Sequence, residues 1–403
     1  MRSRSKIIIV VTFLLVSGWR PTISAQKILS LEEAIATALQ NNYDIQLARN
    51  DSAVAALDYE YRNAVFFPRV NGAAGTTWNN NSQRQEFSTG LVREGNVATH
   101  NINASLNLDW TLFDGLRMFA TRQKAEEFIR LGELEIKNQV INTVADVINT
   151  YYNIVRQKQQ LRAVEEQMSI SETRVNLSQR KLDIGVGAKP EVLQGQVDLN
   201  AQKAAQLKQQ TLIRQLKEIL NHLLFPFLPG NEGPIAVDYD VIDTIPINAF
   251  ITLDEIQMSL EANNPLLEIA EKNIDIANLT VKEYKADRYP IVEFNSAYNY
   301  NRTINNVTLN PALPISNRNN GLVYGFTAAV PILNYRNTQR LIRQAELNVG
   351  FQRLMYDNQH SLLRLDVINA YQDYELQKQA LALEEDNIEL AKENVSIILE
   401  TYR

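Results

Sequence analysis

Two distant parts of the chain carry the same residues in the same order, and this constrains the fold more than any other feature of the sequence. At an offset of 222 residues, the segment 31–68 aligns without a gap with 253–290, and each segment ends in an aromatic residue followed by proline. At an offset of 220, Asp146 to Tyr151 match Asp366 to Tyr371 at five of six positions. The two consistent offsets indicate a tandem duplication of about 220 residues.

Each half is predicted to open with helix and to continue into a much longer helix. The opening segments are 31–66 and 253–288, with Ser30 and Thr252 as N-caps. The long helix of the first half is expected over 116–184, where there is no proline and one glycine, and its counterpart over 336–403. A break at 185–190 then leads into a further helix, 191–224.

Between the opening and the long helix, the hydrophobic period changes from helical to two. From Ile102 to Leu112, apolar residues alternate with Asn, Ser, Asp and Thr, which predicts a two-faced strand, and Val70 to Asn79 is its predicted partner. The expected hairpins cover 68–113 and 291–333, with strands of about ten residues, the length of a tilted membrane-crossing strand. The Asn-rich stretches 79–81 and 305–320 are expected to be surface loops.

Four strands of that length cannot close a transmembrane barrel, because the smallest such barrels have about eight strands and an open edge in lipid leaves backbone groups unpaired. The chain is therefore expected to associate with itself. A symmetric ring would close the strands into one barrel and continue it with the helices, giving a hollow tube.

Composition argues against catalysis. The chain has no cysteine and three widely separated histidines, and it carries no nucleophile-elbow or phosphate-loop motif. No enzyme activity, cofactor or metal site is expected. With the first 25 residues removed, the net charge is about −10, which makes nucleic acid an improbable partner.

Residues 1–25 have the pattern of a secretory signal peptide. Arg2, Arg4 and Lys6 precede an apolar run, Ile7 to Val16, and small residues end at Ala25. The run is too short to span a bilayer. The mature chain then divides into a first repeat (26–224), an inter-repeat segment (225–250) and a second repeat (251–403).

Four motifs resemble the TolC family of outer membrane efflux proteins: Leu-Glu-Glu-Ala at 31–34, Ala-Leu-Gln-Asn-Asn at 38–42, Leu-Phe-Asp-Gly at 112–115 and Ile-Gly-Val-Gly-Ala at 184–188. The resemblance implies a mainly α fold with a transmembrane β-barrel portion: a homotrimer with a twelve-stranded barrel in the outer membrane of a Gram-negative bacterium, a periplasmic α-barrel of coiled-coil helices, and an equatorial region around 225–250. It also implies an exit duct that works with a periplasmic adaptor and an inner membrane transporter. The transported substrate is chosen by the pump, so the sequence does not name it.

The same resemblance assigns the periplasmic gate and the adaptor contact to the tip between the helices. The matching positions are Gly185, Val186, Gly187, Ala188, Pro190 and Glu191, together with Tyr402 in the second repeat. For Glu191, a solvated first-turn carboxylate is the open alternative. An aromatic girdle against outer membrane lipid is expected from five residues, with ordinary core packing as the alternative: Trp78, Trp110, Tyr298, Tyr300 and Tyr324.

Two further expectations concern the whole chain. Arg403 matches Asp183 in the repeat register, so the closing helix of the second repeat is missing, and the native protein is expected to continue for roughly 40 residues. The alternative function is a non-channel coiled-coil scaffold of the cell envelope, which would explain the helices but not the two-faced strands.

Overall fold

The computed structural model describes residues 27–224, 239–242, 251–307, 314–334 and 336–401. The predicted signal peptide, most of the inter-repeat segment and Tyr402 lie outside these ranges. Within these ranges the chain forms two compact units, with the divisions at 47/48, 138/139 and 249/250.

The helices and strands follow the same order in both halves of the chain. The first half contains β1 (Lys27–Leu29), α1 (Leu31–Asn41), α2 (Tyr43–Glu60), β2 (Arg69–Glu86), β3 (Val92–Asp114), α3 (Arg117–Asp183) and α4 (Lys189–Leu224). The second half contains β4 (Tyr239–Val241), α5 (Leu253–Asn263), α6 (Pro265–Ala286), β5 (Ile291–Val307), β6 (Ser316–Ala329) and α7 (Asn337–Thr401). Within the described ranges, no helix is both long and apolar enough to cross a bilayer.

The opening helix of each half is divided in two, which the sequence analysis did not predict. Ser30 and Thr252 are the N-caps of α1 and α5, as predicted. At Asn42, however, the backbone leaves the helix, and its Oδ1 accepts hydrogen bonds from the backbone N–H groups of Asp44 (2.9 Å) and Ile45 (3.3 Å). Asn264 does the same for Leu266 at 2.9 Å. An asparagine side chain that satisfies the orphan donors of a new helix stabilises the break.

The first unit is organised around Tyr151 on α3, which is 2% exposed. Its hydroxyl donates a hydrogen bond to the Leu29 carbonyl (2.9 Å) and accepts one from the Ile242 N–H (3.0 Å). Strands β1 and β4 pair in parallel beside it. Apolar residues of α1, α3 and α4 complete the core, among them Ala34, Ala38, Val147, Ile154, Leu220 and Leu224.

The second unit contains an antiparallel sheet in the order β2-β3-β5-β6. The strands have 18, 23, 17 and 14 residues, so the predicted length of about ten was wrong. Asn79 to Asn81 lie within β2 and pair with Val97 to Thr99, rather than forming a surface loop. Backbone pairing needs no apolar side chains, so the ladder continues beyond the alternating pattern that sequence analysis detects.

Helices α3 and α6 pack antiparallel in the second unit through polar contacts. Lys272 lies 2.9 Å from a carboxylate oxygen of Glu127 and 3.0 Å from one of Asp275. Glu283 accepts hydrogen bonds from Thr121 (2.9 Å) and Lys124 (3.0 Å). Helix α7 packs against α6 through a small apolar cluster, Ala277, Val281, Ala345 and Val349.

Candidate functional site

The tip between α3 and α4 is a helix stop of defined geometry. Gly185 has φ +82°, the left-handed conformation in which a β-carbon is strained. Its N–H donates to the Leu182 carbonyl (3.0 Å), and the Val186 N–H donates to the Lys181 carbonyl (3.0 Å). This hydrogen-bond pair is a Schellman motif, which satisfies carbonyls at the end of α3.

Gly187 is required at the tip for a different reason. A β-carbon added there would lie 2.8 Å from the Leu182 nitrogen and from the Lys181 β-carbon, so only glycine allows the chain to fold back this closely. Pro190 is the second residue of α4, where the missing N–H costs nothing. Glu191 follows it in the first turn and is exposed, with its N–H donating to the Ala188 carbonyl at 3.1 Å.

The tip presents apolar side chains to solvent. Ile184 and Val186 are each 73% exposed. Below the tip, α3 and α4 run antiparallel and touch at Gly195, where an added β-carbon would lie 3.1 Å from the Val175 side chain. Val192 is buried in the same region. The helix pair is therefore closely packed up to the tip, where Ile184 and Val186 are exposed to solvent.

The predicted tip residues of the first repeat thus lie together: Gly185, Val186, Gly187 and Ala188 connect the two helices, and Pro190 and Glu191 belong to the first turn of α4. Glu191 has no ion pair among the described residues. Tyr402 lies outside the described residues.

The second surface of interest is the sheet, whose two faces differ in chemistry. Strand register puts Leu106, Tyr298 and Leu322 side by side. The face that contains them, here called the apolar face, includes Val70, Ala74, Trp78, Ile102, Leu106, Leu108, Trp110, Val292, Phe294, Tyr298, Tyr300, Leu322, Tyr324, Phe326 and Ala328. Many of these side chains are exposed, so they have no core to pack against.

The opposite face, here called the polar face, is rich in asparagine. Register aligns Asn103, Asn301 and Asn319 across three strands. The same face carries Asn71, Asn101, Ser105, Asn107, Asn295, Asn299 and Thr327, with Asp109 and Glu293 near the helical end of the sheet. A sheet with one exposed apolar face and one polar face is suited to separate lipid from water.

The five predicted girdle residues all lie on the apolar face, but the register does not bring them into one row. Trp78 pairs with His100, and their rings stack at 4.7 Å. Trp110 lies at the other end of the face, where its indole N–H donates to the Phe66 carbonyl at 2.9 Å. Tyr298, Tyr300 and Tyr324 occupy three separate rows between them.

Trp78 and Trp110 instead lie near the two limits of the apolar face. Along β3, ten residues separate His100 from Trp110, about 34 Å of strand or roughly 26 Å of depth at a tilt near 40°. This is close to the height of the apolar band of an outer membrane barrel, about 25 Å. Phe294 and Phe326 complete the row of Trp110, with ring centroids 5.1 Å apart. Sequence analysis did not assign these two residues to the girdle, since a row depends on cross-strand register.

The shifted pKa values of Lys272 and Tyr239 belong to structural contacts. Hydrogen bonds to Glu127 and Asp275 raise the pKa of Lys272, and burial raises the pKa of the Tyr239 hydroxyl. In the described ranges, no group of three or more His, Asp or Glu residues is placed to hold a metal ion.

Comparison with known proteins identifies the class to which these features belong. Residues 34–224 match the sequence profile of the family described as outer membrane efflux protein. No curated protein sequence matches the chain at a significant level.

Solved structures of outer membrane channels share the fold. The channel OprN is 17% identical, with 87% of this chain and 75% of OprN covered at a TM-score of 0.66. The CmeC outer membrane channel of Campylobacter jejuni is 15% identical, with 85% and 72% covered at 0.65. CusC, whose structures concern transmembrane channel formation, is 17% identical, with 88% and 78% covered at 0.61. At these identities the likeness establishes the fold.

The fold class is therefore that of the outer membrane channels, mainly helical with an antiparallel sheet, as predicted. Residues 34–224 match the outer membrane efflux protein family, which confirms the resemblance seen in the motifs of the chain. Its location is the outer membrane, with a part that extends into the periplasm.

Proposed function

We propose that the protein is the exit duct of a tripartite efflux or type I secretion system, which passively conducts substrates from an inner membrane pump across the periplasm and the outer membrane. The observation that carries the proposal is the amphipathic four-stranded sheet, whose apolar face is exposed and whose polar face is lined by asparagine. In a closed barrel the apolar face meets lipid and the polar face lines a water-filled lumen. A periplasmic scaffold has no use for such a sheet.

The assembly is a homotrimer in this proposal. Strands β2 and β6 are the edges of the sheet, and each pairs with only one other described strand. In lipid, unpaired edge groups are costly, so a second copy must supply the partner for each edge. Three copies of four strands give the twelve-stranded barrel that the family resemblance implies. Many side chains of α7, such as Leu347, Leu354 and Leu383, are also exposed apolar groups that an assembly would cover.

The helical tip is the contact for a periplasmic adaptor and the site of the closed gate. Its support is the exposed apolar pair, Ile184 and Val186, held by the glycine-dependent turn. A rigid apolar knob of this kind can enter a groove on a partner. Gating is an iris-like shift of the helix tips once the adaptor has engaged them. The Glu191 carboxylate lines the narrow end of the duct in this arrangement.

Single-channel conductance in a planar bilayer tests the duct. Full-length protein is expected to give small, steady, cation-favouring currents. Glu191→Ala is expected to alter ion selectivity or conductance, whereas the control Glu172→Ala, an exposed acid on α3 away from the tip, leaves both unchanged. Well-folded protein that forms no channels at all would favour the scaffold and contradict the duct. Unchanged selectivity in Glu191→Ala alone would assign Glu191 to the solvated helix face.

Cysteine pairs test the trimer, because the chain has no cysteine of its own. Gly325→Cys on the polar face of β6 is combined in turn with Asn71→Cys, Ala73→Cys and Thr77→Cys on the polar face of β2. One pair is expected to crosslink chains into dimers and trimers under denaturing electrophoresis, since bridged Cα atoms must lie about 4.4–6.8 Å apart. Gly72→Cys, on the apolar face of β2, is the control and should give no crosslink. Monomers from every pair would argue against edge pairing.

A further inference from the structure

Two arginines stand directly opposite each other on the apolar face of the sheet. Arg302 on β5 pairs in register with Arg318 on β6, and Ile102 on β3 is the next residue in the same row. Both arginine side chains are exposed. Like charges directly opposite each other destabilise a pair of strands, so this arrangement calls for a compensating anion.

The sheet itself does not supply that anion. Among the described residues, neither guanidinium has an acidic partner. The guanidinium of Arg318 lies over the Tyr300 ring instead, 5.2 Å from its centroid. Farther along the same face, Arg84 does form an ion pair, since it lies 3.6 Å from a carboxylate oxygen of Glu94. The Arg302–Arg318 pair is thus an exposed, positively charged site on the apolar face of the sheet.

The pair lies at the rim of the apolar face, at the end farther from the helices. One row beyond it are Trp78 and His100, and past them the same face becomes polar, with Asn80, Ser82, Glu94 and Asn96. Under the proposed function, the helices lie in the periplasm, so this rim lies at the outer leaflet of the membrane. Headgroups begin where the apolar face ends.

We propose that Arg302 and Arg318 bind a phosphate group of the phosphorylated glycolipid of the outer leaflet. Two guanidinium forks can hold phosphate oxygens bidentately and remove the repulsion between them. Trp78 supports a sugar-bearing lipid as the occupant. Trp78 is 64% exposed, and its ring stacks on His100, whose Nε2 lies 2.7 Å from the Thr76 hydroxyl. It stands two strands and one row from Arg302, about 12 Å away, a span that a disaccharide covers.

The test is a titration of the full chain in non-ionic detergent with bisphosphorylated lipid A, followed by native mass spectrometry. The double variant Arg302→Gln/Arg318→Gln is expected to bind lipid A roughly tenfold more weakly. The control Arg84→Gln removes an arginine that already has an acidic partner, and its affinity should be unchanged. Lipid A without phosphate should bind to the wild-type protein as weakly as bisphosphorylated lipid A binds to the double variant. The single variant Arg318→Gln, on the edge strand, gives the same comparison if the double variant does not fold.

Equal affinity of the wild type and the variants would overturn the proposal. Complete displacement of bound lipid A by millimolar inorganic phosphate would also overturn it, because the site would then bind free anions rather than a lipid. The proposal rests on the proposed function for its orientation, and conductance of the same preparations separates the two. The arginines face away from the lumen, so the double variant should still form channels. If it does so and its affinity for lipid A is unchanged, the lipid site is rejected and the duct is not. Absence of channels in the wild type would reject the duct.

Discussion

Single residues, at turns or in buried hydrogen bonds, stabilise the local structure of this protein. Gly185 and Gly187 make the tip possible, one through its left-handed backbone and the other through close contact with the last turn of α3. Tyr151 joins α3 to the strand pair of the first unit through two hydrogen bonds.

Replacement of Gly185 with alanine should destabilise the protein. The left-handed conformation costs an alanine about 1 kcal/mol, and thermal unfolding in detergent should show a lower midpoint. Gly350→Ala is the control, because Gly350 lies inside α7 with nothing within 4 Å of an added β-carbon. Alanine there should raise stability by about 0.5–1 kcal/mol. Equal effects of the two changes would mean that the tip tolerates another backbone conformation.

Tyr151→Phe should cost about 1–3 kcal/mol, since the Leu29 carbonyl and the Ile242 N–H would lose their partner in a buried site. Tyr152→Phe is the control. Its ring packs edge-on against Tyr151 at 5.8 Å, and no hydrogen bond of its hydroxyl is present among the described residues. Chemical unfolding followed by circular dichroism measures both. A loss in Tyr152→Phe as large as in Tyr151→Phe would indicate that the cost does not come from the two hydrogen bonds of the Tyr151 hydroxyl.

At the scale of elements, the helices of the second unit are joined by charge as much as by apolar contact. Lys272 on α6 bridges Glu127 on α3 and Asp275 on its own helix, and its side chain is mostly covered. The hydrogen bond to Glu127 is the main cause of its raised pKa. A lysine held in this way stabilises the folded state as long as it is charged.

The pH dependence of this contact follows from the direction of the pKa shift. Because the folded-state pKa of Lys272 is raised, its contribution is complete below the ordinary value of 10.5 and is lost as the pH rises through the folded-state pKa. Lys272→Met should therefore lower stability by about 1–2 kcal/mol at pH 8 and by less at pH 11. Lys285→Met is the control, since Lys285 is half exposed and 4.0 Å from Glu346. A deficit in Lys272→Met that stays constant with pH would contradict the charged contact.

The division of the opening helices is also decided at this scale. Asn42 and Asn264 occupy matching positions of the two halves, and both cap a second helix. Asn42 additionally donates from its Nδ2 to the Leu223 carbonyl at the end of α4 (3.3 Å). The sequence contains the matching Asn-Asn pairs, but helical periodicity continues through them, so periodicity alone does not reveal the break.

For the whole molecule, the duct predicts that charge on the polar face of the sheet controls ion selectivity. Glu293 lies on this face, paired in register with Thr111 and Thr327. Glu293→Gln should reduce the preference for cations by roughly twofold in planar bilayers, since fixed charges lining a pore attract counter-ions. Glu94→Gln, on the opposite face and paired with Arg84, is the control and should leave selectivity unchanged. If only Glu94→Gln has an effect, the faces are assigned the wrong way round.

The sequence by itself determined the kinds of element, their order and the chemistry of each strand face. Hydrophobic period, capping residues and the glycine break act over a few neighbouring residues, so they can be read locally at Ser30, Thr252 or 102–112. Because the two halves share a residue pattern, the elements predicted for the first half also predicted those of the second half. These features also carried the family resemblance, which depends on short motifs.

Only the tertiary structure decided which residues of different elements meet. In the structure, the strands extend beyond their alternating segments, and Trp78 and Trp110 lie near opposite ends of the apolar face. Arg302 pairs in register with Arg318. Lys272 lies between Glu127 and Asp275. Cross-strand register and helix pairing join residues that are distant in the chain, and a shift of one residue would exchange the faces. No local pattern fixes that register.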